Sequence, residues 1–306
     1  MLIDQLGKEG LELLLSRCGE STGSNGPIVS CRVGDSIYQE LSSIIGQRVV
    51  ESDEEIIARH EWELKQTRTC TDLTENVEKV IAKTISTLEF FRSVGEIDYR
   101  EAIKPSRQLK IPTNSFENIP FHFFDSHANS YWLILDYLRR TGEKVTIVRF
   151  DQHLDQEEEG DSVIRSNYLR KLMANPEVSD QIDLVITTDG ESLDPAPSIN
   201  GITHHTMNIR SLSQIDTPVL LDIDLDGHER ITARGGIGGH WYRGKTNQDT
   251  KVGNQSFIVI HPMVVAYSLR NALPNVREIY VATERRFRTR FFHYRIEHDF
   301  LEALAA

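Results

Sequence analysis

Val145-Thr146-Ile147-Val148-Arg149-Phe150-Asp151-Gln152-His153-Leu154-Asp155 is an apolar run that stops abruptly in two acids and an imidazole. In an extended chain, side chains two residues apart share a side, so Asp151, His153 and Asp155 project together. The pattern recurs. Leu221-Asp222-Ile223-Asp224-Leu225-Asp226 ends another apolar run, Phe124-Asp125-Ser126-His127 a third and Ala282-Thr283-Glu284 a fourth. Working outward, short apolar runs at 121–124, 145–150, 184–187, 219–223, 257–260 and 279–282 read as parallel strands. Stretches at 131–140, 162–173 and 263–272 have the lengths of connecting helices. Such alternation predicts an α/β protein with a doubly wound, mostly parallel sheet, whose site lies beyond the carboxyl ends of its strands.

The N-terminal third reads differently. Residues 20–27 have loop composition, and helical patterns surround them at 3–17, near 36–67 and at 72–95. In the last of these, Val77, Val80, Ile81, Ile85, Leu88 and Phe91 recur at helical spacing, as a helix packed on a core would show. The expected organisation is a largely helical region at 1–117, followed by a metal-binding core at 118–306.

Composition narrows the classes. A 39% hydrophobic and 26% charged chain of 306 residues can bury a sizeable core. A formal net charge of −12 argues against nonspecific nucleic acid or anionic lipid as partner and suits a cationic substrate. No stretch approaches the ~20 apolar residues of a membrane helix, and the N-terminus lacks the pattern of a secretory signal. Cys18, Cys31 and Cys70 form no metal-type pair and cannot all pair within one chain, so a reducing cytoplasm is the expected compartment.

Apolar strands should not end in several packed acids unless cations relieve their repulsion. Taken singly, an Asp-x-His is usually a solvated turn, and Asp125 or Asp226 a capping acid. Taken together, the six residues His127, Asp151, His153, Asp155, Asp222 and Asp224 read as a divalent metal site. Four carboxylates and two imidazoles without cysteine favour Mn²⁺ over Zn²⁺, Fe²⁺ or Co²⁺. Two ions sharing bridging carboxylates would hold a hydroxide between them as nucleophile.

These motifs resemble the arginase (ureohydrolase) superfamily, and within it the peptide arginases that mature ribosomally made peptides. The resemblance spans about 118–300 and is densest around His122 to Trp132, Val145 to Asp155, Val219 to Asp226 and Ile279 to Phe287. It implies a three-layer α/β/α fold and two Mn²⁺ ions. His127 and Asp155 would belong to one ion, His153 and Asp224 to the other, and Asp151 and Asp222 would bridge. It implies that Glu284 grips the substrate guanidinium. The activity implied is hydrolysis of arginine to ornithine and urea within a precursor peptide, by attack of a dinuclear-metal-bound hydroxide. Asp155 or a nearby histidine would then pass a proton to the leaving amine. The usual Gly-Gly-Asp-His stretch is here Phe-Phe-Asp-Ser-His, and Leu-Asp-Gly-His follows the Asp-x-Asp strand. Tyr168 stands in the region where free-arginine enzymes carry a proton-shuttling histidine, which leaves His204 or His205 as candidates.

The segment at 235–245 is rich in glycine, and Trp241 and Tyr242 give it adhesive area for a peptide. The alternatives are hydrolysis of free arginine or agmatine-like guanidines, a one-zinc deacetylase-like amidohydrolase, and a non-catalytic peptide-binding module. A homo-oligomer is compatible with the sequence.

Overall fold

Strand formation follows the apolar runs closely. The computed structural model describes residues 22–23, 26–48, 112, 114–151, 153–156, 160, 162–188, 196–225, 229–232, 251–252, 255–259, 262–284 and 293–306. In chain order the elements begin with β1 (Thr22–Gly23), β2 (Gly26–Arg32), α1 (Ser36–Arg48), β3 (Pro120–Phe124), α2 (Ala128–Thr141) and β4 (Val145–Phe150). They continue with α3 (Tyr168–Ala174), β5 (Ile182–Thr188), β6 (Thr203–Met207), β7 (Val219–Asp224) and β8 (Glu229–Thr232). The last are β9 (Lys251–Val252), β10 (Gln255–Val259), α4 (Pro262–Ala272), β11 (Val276–Ala282) and α5 (His293–Ala305).

Eight strands form one sheet in the order β1-β2-β3-β11-β7-β4-β5-β6. From β3 to β6 every neighbouring pair is parallel, while β2 runs antiparallel to β3 and β1 to β2. Helices cover both faces, giving the expected α/β/α layers. On one face Tyr38, Leu41, Leu269 and Phe300 of α1, α4 and α5 pack against Val148, Leu221, Ile223 and Val281. On the other, Ile134, Leu138, Leu169 and Leu172 of α2 and α3 pack against Ile147, Val185, Leu220 and Tyr280. Every residue of β4 and β7 is buried, which is why these strands read as continuous apolar runs rather than alternating ones. Each fully buried aliphatic side chain contributes roughly 1.5–3 kcal/mol. Helix α2 ends at Gly142, whose φ of 63° supplies the left-handed turn that returns the chain to β4.

The chain leaves β4 outward to β5 and β6, then returns to β7 on the opposite side. A crevice therefore opens beyond the carboxyl ends of β4 and β7, where ligands of doubly wound sheets bind.

Several expectations are corrected. The run at 257–260 is not a parallel strand of this sheet: β10 pairs antiparallel with β8 and β9 in a separate three-stranded sheet. The helix expected at 162–173 spans only Tyr168–Ala174. Before it, the Asn167 side chain accepts the Ile164 N–H (2.9 Å) and donates to the Ser162 carbonyl (3.1 Å), satisfying the backbone as a turn. Gly26 and Pro27, expected in a loop, open β2, where a leading proline costs no ladder bond. Strand β6 is a polar edge strand and α5 a C-terminal helix; neither was expected. Strand β2 and helix α1, from the N-terminal third, join the sheet and its core. The helices expected at 3–17 and 72–95, and the part of 36–67 beyond Arg48, lie outside the described residues. Among those residues no helix is long and apolar enough to cross a membrane.

Candidate metal centre

A row of polar residues crosses seven strands in register: Ser30, His122, Tyr280, Asp222, Arg149, Thr187 and Thr206. Its middle forms the floor of the site. Two residues further along β7 stands Asp224, and just past the end of β4 stands Asp151, so both point past the floor into the crevice.

His127 opens α2 and drops into this cluster with 1% exposure. Its two ring edges face different groups. Nδ1 lies 3.0 Å from Asp224, 3.3 Å from Asp151 and 3.4 Å from Asp155. Nε2 lies 3.1 Å from both carboxylate oxygens of Asp222 and 3.0 Å from the Tyr168 hydroxyl. Asp222 also accepts from the Ser130 hydroxyl (2.7 Å) and from Tyr168. Burial alone would push the His127 imidazolium down, but Asp222 and Asp224 more than offset this and raise it well above its ordinary value. Conversely, burial would raise the Asp222 carboxyl, yet His127, Arg149 and Tyr168 hold it well below the usual range.

Arg149 is the residue that sequence reasoning missed. It is fully buried, and its guanidinium spans three of the carboxylates. One terminal nitrogen donates to both Asp151 and Asp155, and Nε reaches Asp222 at 3.3 Å. The other terminal nitrogen donates to the Leu154 carbonyl (3.1 Å) and to Thr187 Oγ1 (3.3 Å). The guanidinium carbon also lies 5.3 Å from the centre of the Tyr168 ring. The signal was a charged residue inside an apolar strand, two positions before Asp151 and so on its side.

Glu284 follows β11 in a left-handed conformation (φ 42°), as does Asp155 (φ 51°); such backbone strain clusters at functional sites. The Glu284 Oε1 accepts the His127 backbone N–H at 2.8 Å, fixing the carboxylate at the rim of the cluster. Burial, then the nearby Asp224, push this carboxyl up to about 7. Its Oε2 lies 3.7 Å from a guanidinium nitrogen of Arg165.

Among the described residues a metal ion fits one place. His127, Asp151 and Asp224 each offer a ligand atom, all within 4.8 Å of one another and all buried, with Asp155 beside them. An imidazole with carboxylates is a donor set for Mn²⁺, Zn²⁺, Fe²⁺ or Co²⁺. The second expected place is not assembled. Asp222 turns to the opposite edge of His127, where it orients the ring as outer carboxylates do for metal-binding histidines. His153 projects outward with its side chain 49% exposed, its Nδ1 3.7 Å from Asp151.

The two proposed proton-relay histidines do not reach the cluster. His204 on β6 is buried behind Arg149, its Nε2 2.8 Å from Thr187 Oγ1 and its Nδ1 2.9 Å from the Gln156 amide. Burial first, then Arg149 and His205, lower its pKa to about 3, so it stays neutral with both nitrogens engaged. His205 is the next residue on the strand, faces the other way and is exposed. Trp241, Tyr242, Asp226, Arg285 and Arg286 lie outside the described residues.

No family model matches the chain, and no curated protein matches it. Among solved structures the chain is similar to an arginase from Medicago truncatula, at 14% identity and TM-score 0.37 over 60% of this chain and 58% of that one. A hypothetical agmatinase from Burkholderia thailandensis matches at 14% identity and TM-score 0.38, over 60% of this chain and 57% of that one. The formimidoylglutamase from Bacillus subtilis subsp. subtilis str. 168 matches at 15% identity and TM-score 0.38, over 60% and 59%. The match spans less than two thirds of each of these three solved chains. What the site can do is decided by its own side chains.

Proposed function

We propose that the chain is a metal-dependent hydrolase that cleaves the guanidinium of an arginine side chain within a peptide, leaving ornithine and releasing urea. The observation that carries this reading is the placement of Glu284. Its carboxylate is anchored at the rim of the buried His/Asp cluster, and a guanidinium of the chain itself already lies within 4 Å of it. A substrate guanidinium would make a charge-assisted contact with Glu284 that aims its carbon at the cluster.

A divalent ion on His127, Asp151 and Asp224, when bound, supplies positive charge and water of lowered pKa at neutral pH. The chain's residues do the rest. Asp222, held by Ser130, Tyr168 and Arg149, fixes the His127 ring so that Nδ1 faces the two ligating carboxylates. Asp155 is the least buried of the four cluster aspartates, so its carboxylate is the one placed to take a proton from attacking water and return it to the departing amine. Water adds to the guanidinium carbon, the bond to the side-chain nitrogen breaks, and that nitrogen leaves as the ornithine ammonium.

A peptide substrate is supported by the resemblance to peptide arginases and by the aromatic, glycine-rich 235–245 segment. An Nε-acyl-lysine substrate is the second reading, favoured by the one convergent Asp/His/Asp group among the described residues. Glu284 weighs against it, because a neutral amide offers this carboxylate no charge to pair. The test incubates the chain and Mn²⁺ separately with arginine-containing peptides, free arginine, agmatine and acetyl-lysine peptides. Urea and a peptide mass matching ornithine are expected in the first arm. Acetate release without urea in any arm would overturn the guanidine reading.

A further inference from the structure

We infer that this centre holds a single divalent metal ion, and that the Arg149 guanidinium is a built-in second cation occupying the place of another ion. The inference rests on the metal reading of the cluster given above, and it departs from the two-ion site expected from the motifs.

Three observations converge. First, the donors divide. His127 Nδ1, Asp151 and Asp224 close on one point, whereas Asp222 faces Nε2 and His153 projects into solvent. Second, Arg149 takes up the carboxylate oxygens that a second ion would need. Its guanidinium contacts Asp151, Asp155 and Asp222, the same carboxylates that would bridge two ions or complete one of them. The position is not incidental, because Arg149 is fully buried. Its other terminal nitrogen is tied down by the Leu154 carbonyl and by Thr187, which His204 holds from behind. A guanidinium so fixed cannot swing aside into solvent to admit an ion.

Third, the charge balance favours one ion. Asp151, Asp155, Asp222 and Asp224 bring four negative charges; Arg149 returns one and a single divalent ion two. The cluster then retains one negative charge, plus that of Glu284 when ionised, which attracts a cationic guanidinium. A second divalent ion would bring the same groups to a net charge of one positive, or to neutrality with Glu284 ionised, and so remove that attraction.

The test counts ions rather than turnover. The full chain is stripped with chelator, reloaded with excess Mn²⁺, freed of unbound ion and analysed for manganese per chain and by electron paramagnetic resonance. One ion per chain with the six-line signal of an isolated Mn²⁺ is expected. Two ions per chain with a spin-coupled signal would overturn the inference. Arg149→Met, which removes the charge but keeps the length, is expected to raise the count from one to two, and Arg149→Lys to keep it at one. An Arg149→Met protein that folds and still binds one ion would also overturn the cation role. If Arg149→Met does not fold, the wild-type count alone decides. One ion with no urea from any guanidine would sink the proposed function and leave this inference standing; two ions with urea would do the reverse.

Discussion

Strand β11 carries a glutamate near each end, and the two live in opposite electrostatic worlds. Glu278, near the start, accepts from Arg140 (2.9 Å) and from the Tyr280 hydroxyl (2.8 Å), with His122 at 3.3 Å. Burial pushes its carboxyl up, but the adjacent His122 ring and the hydrogen bond from Tyr280 outweigh this and hold it below its usual value. Beside it Arg277 pairs with Glu143 at 3.0 Å. Glu284, just past the other end, sits among aspartates, and burial raises it instead. Charge at the amino end of the sheet is settled within the fold. At the carboxyl end, among the described residues, the carboxylates of Asp151, Asp155, Asp222, Asp224 and Glu284 outnumber the cations set against them. Perturbation of this kind, by burial together with like charge in a crevice, is concentrated at functional sites.

The largest effect expected separates the settled from the unsettled part of the carboxyl end itself. Asp222→Ala leaves Arg149 and His127 buried without their shared partner and should cost about 3–5 kcal/mol of unfolding free energy. Asp224→Ala in metal-free protein should cost far less, since it removes one of several crowded acids. Chemical denaturation of both, with chelator present, checks this. Equal losses would break the division between an orienting and a ligating aspartate. In the same pair, Asp224→Ala should weaken Mn²⁺ binding more than about 100-fold, beyond the range that outer partners of a ligand control. Titration calorimetry reads it, and unchanged affinity would remove Asp224 from the site.

Next in size is Glu284→Gln. The contact from a charged carboxylate to a guanidinium contributes about 1.5–3 kcal/mol, so kcat/KM on an arginine peptide should fall roughly 10–100-fold. The manganese content should not change, because Glu284 stands at the rim. A fall in metal content instead would make Glu284 part of the ion's environment and weaken the guanidinium reading.

How far the sequence spoke can be traced residue by residue. Parallel strands buried on both faces leave uninterrupted apolar runs, so β3, β4, β5, β7 and β11 were visible at once. The run that became β10 has the same local pattern, and only pairing decides that it joins another sheet. Strand β6, Thr203–Met207, was invisible because an edge strand needs no apolar face toward solvent. At the site, i, i+2 spacing correctly put acids past the strand ends, yet spacing says nothing of which way each carboxylate turns. Asp222 faces the far edge of His127, and His153 faces water, because Arg149 fills the space between the strands. That residue was legible as a charge in an apolar strand; its target was not, since the register that sets Arg149 opposite Asp222 is a tertiary fact.

The smallest effect lies at the settled end and tests whether it is settled. Glu278 has a folded-state pKa lowered from its unfolded value of about 4.3. Its ionised form therefore adds stability that is complete above the unfolded pKa and is lost as pH falls through the folded one. Glu278→Gln should thus cost about 1 kcal/mol at pH 7, the size of a net hydrogen bond. The gap between the two proteins should close as pH falls below about 4, where the wild-type carboxyl also becomes neutral. Urea denaturation at a series of pH values reads the gap directly. A gap that widened on acidification would mean that Glu278 is protonated more readily in the fold than in the unfolded chain. The two ends of β11 would then differ in partners but not in the sign of their electrostatics.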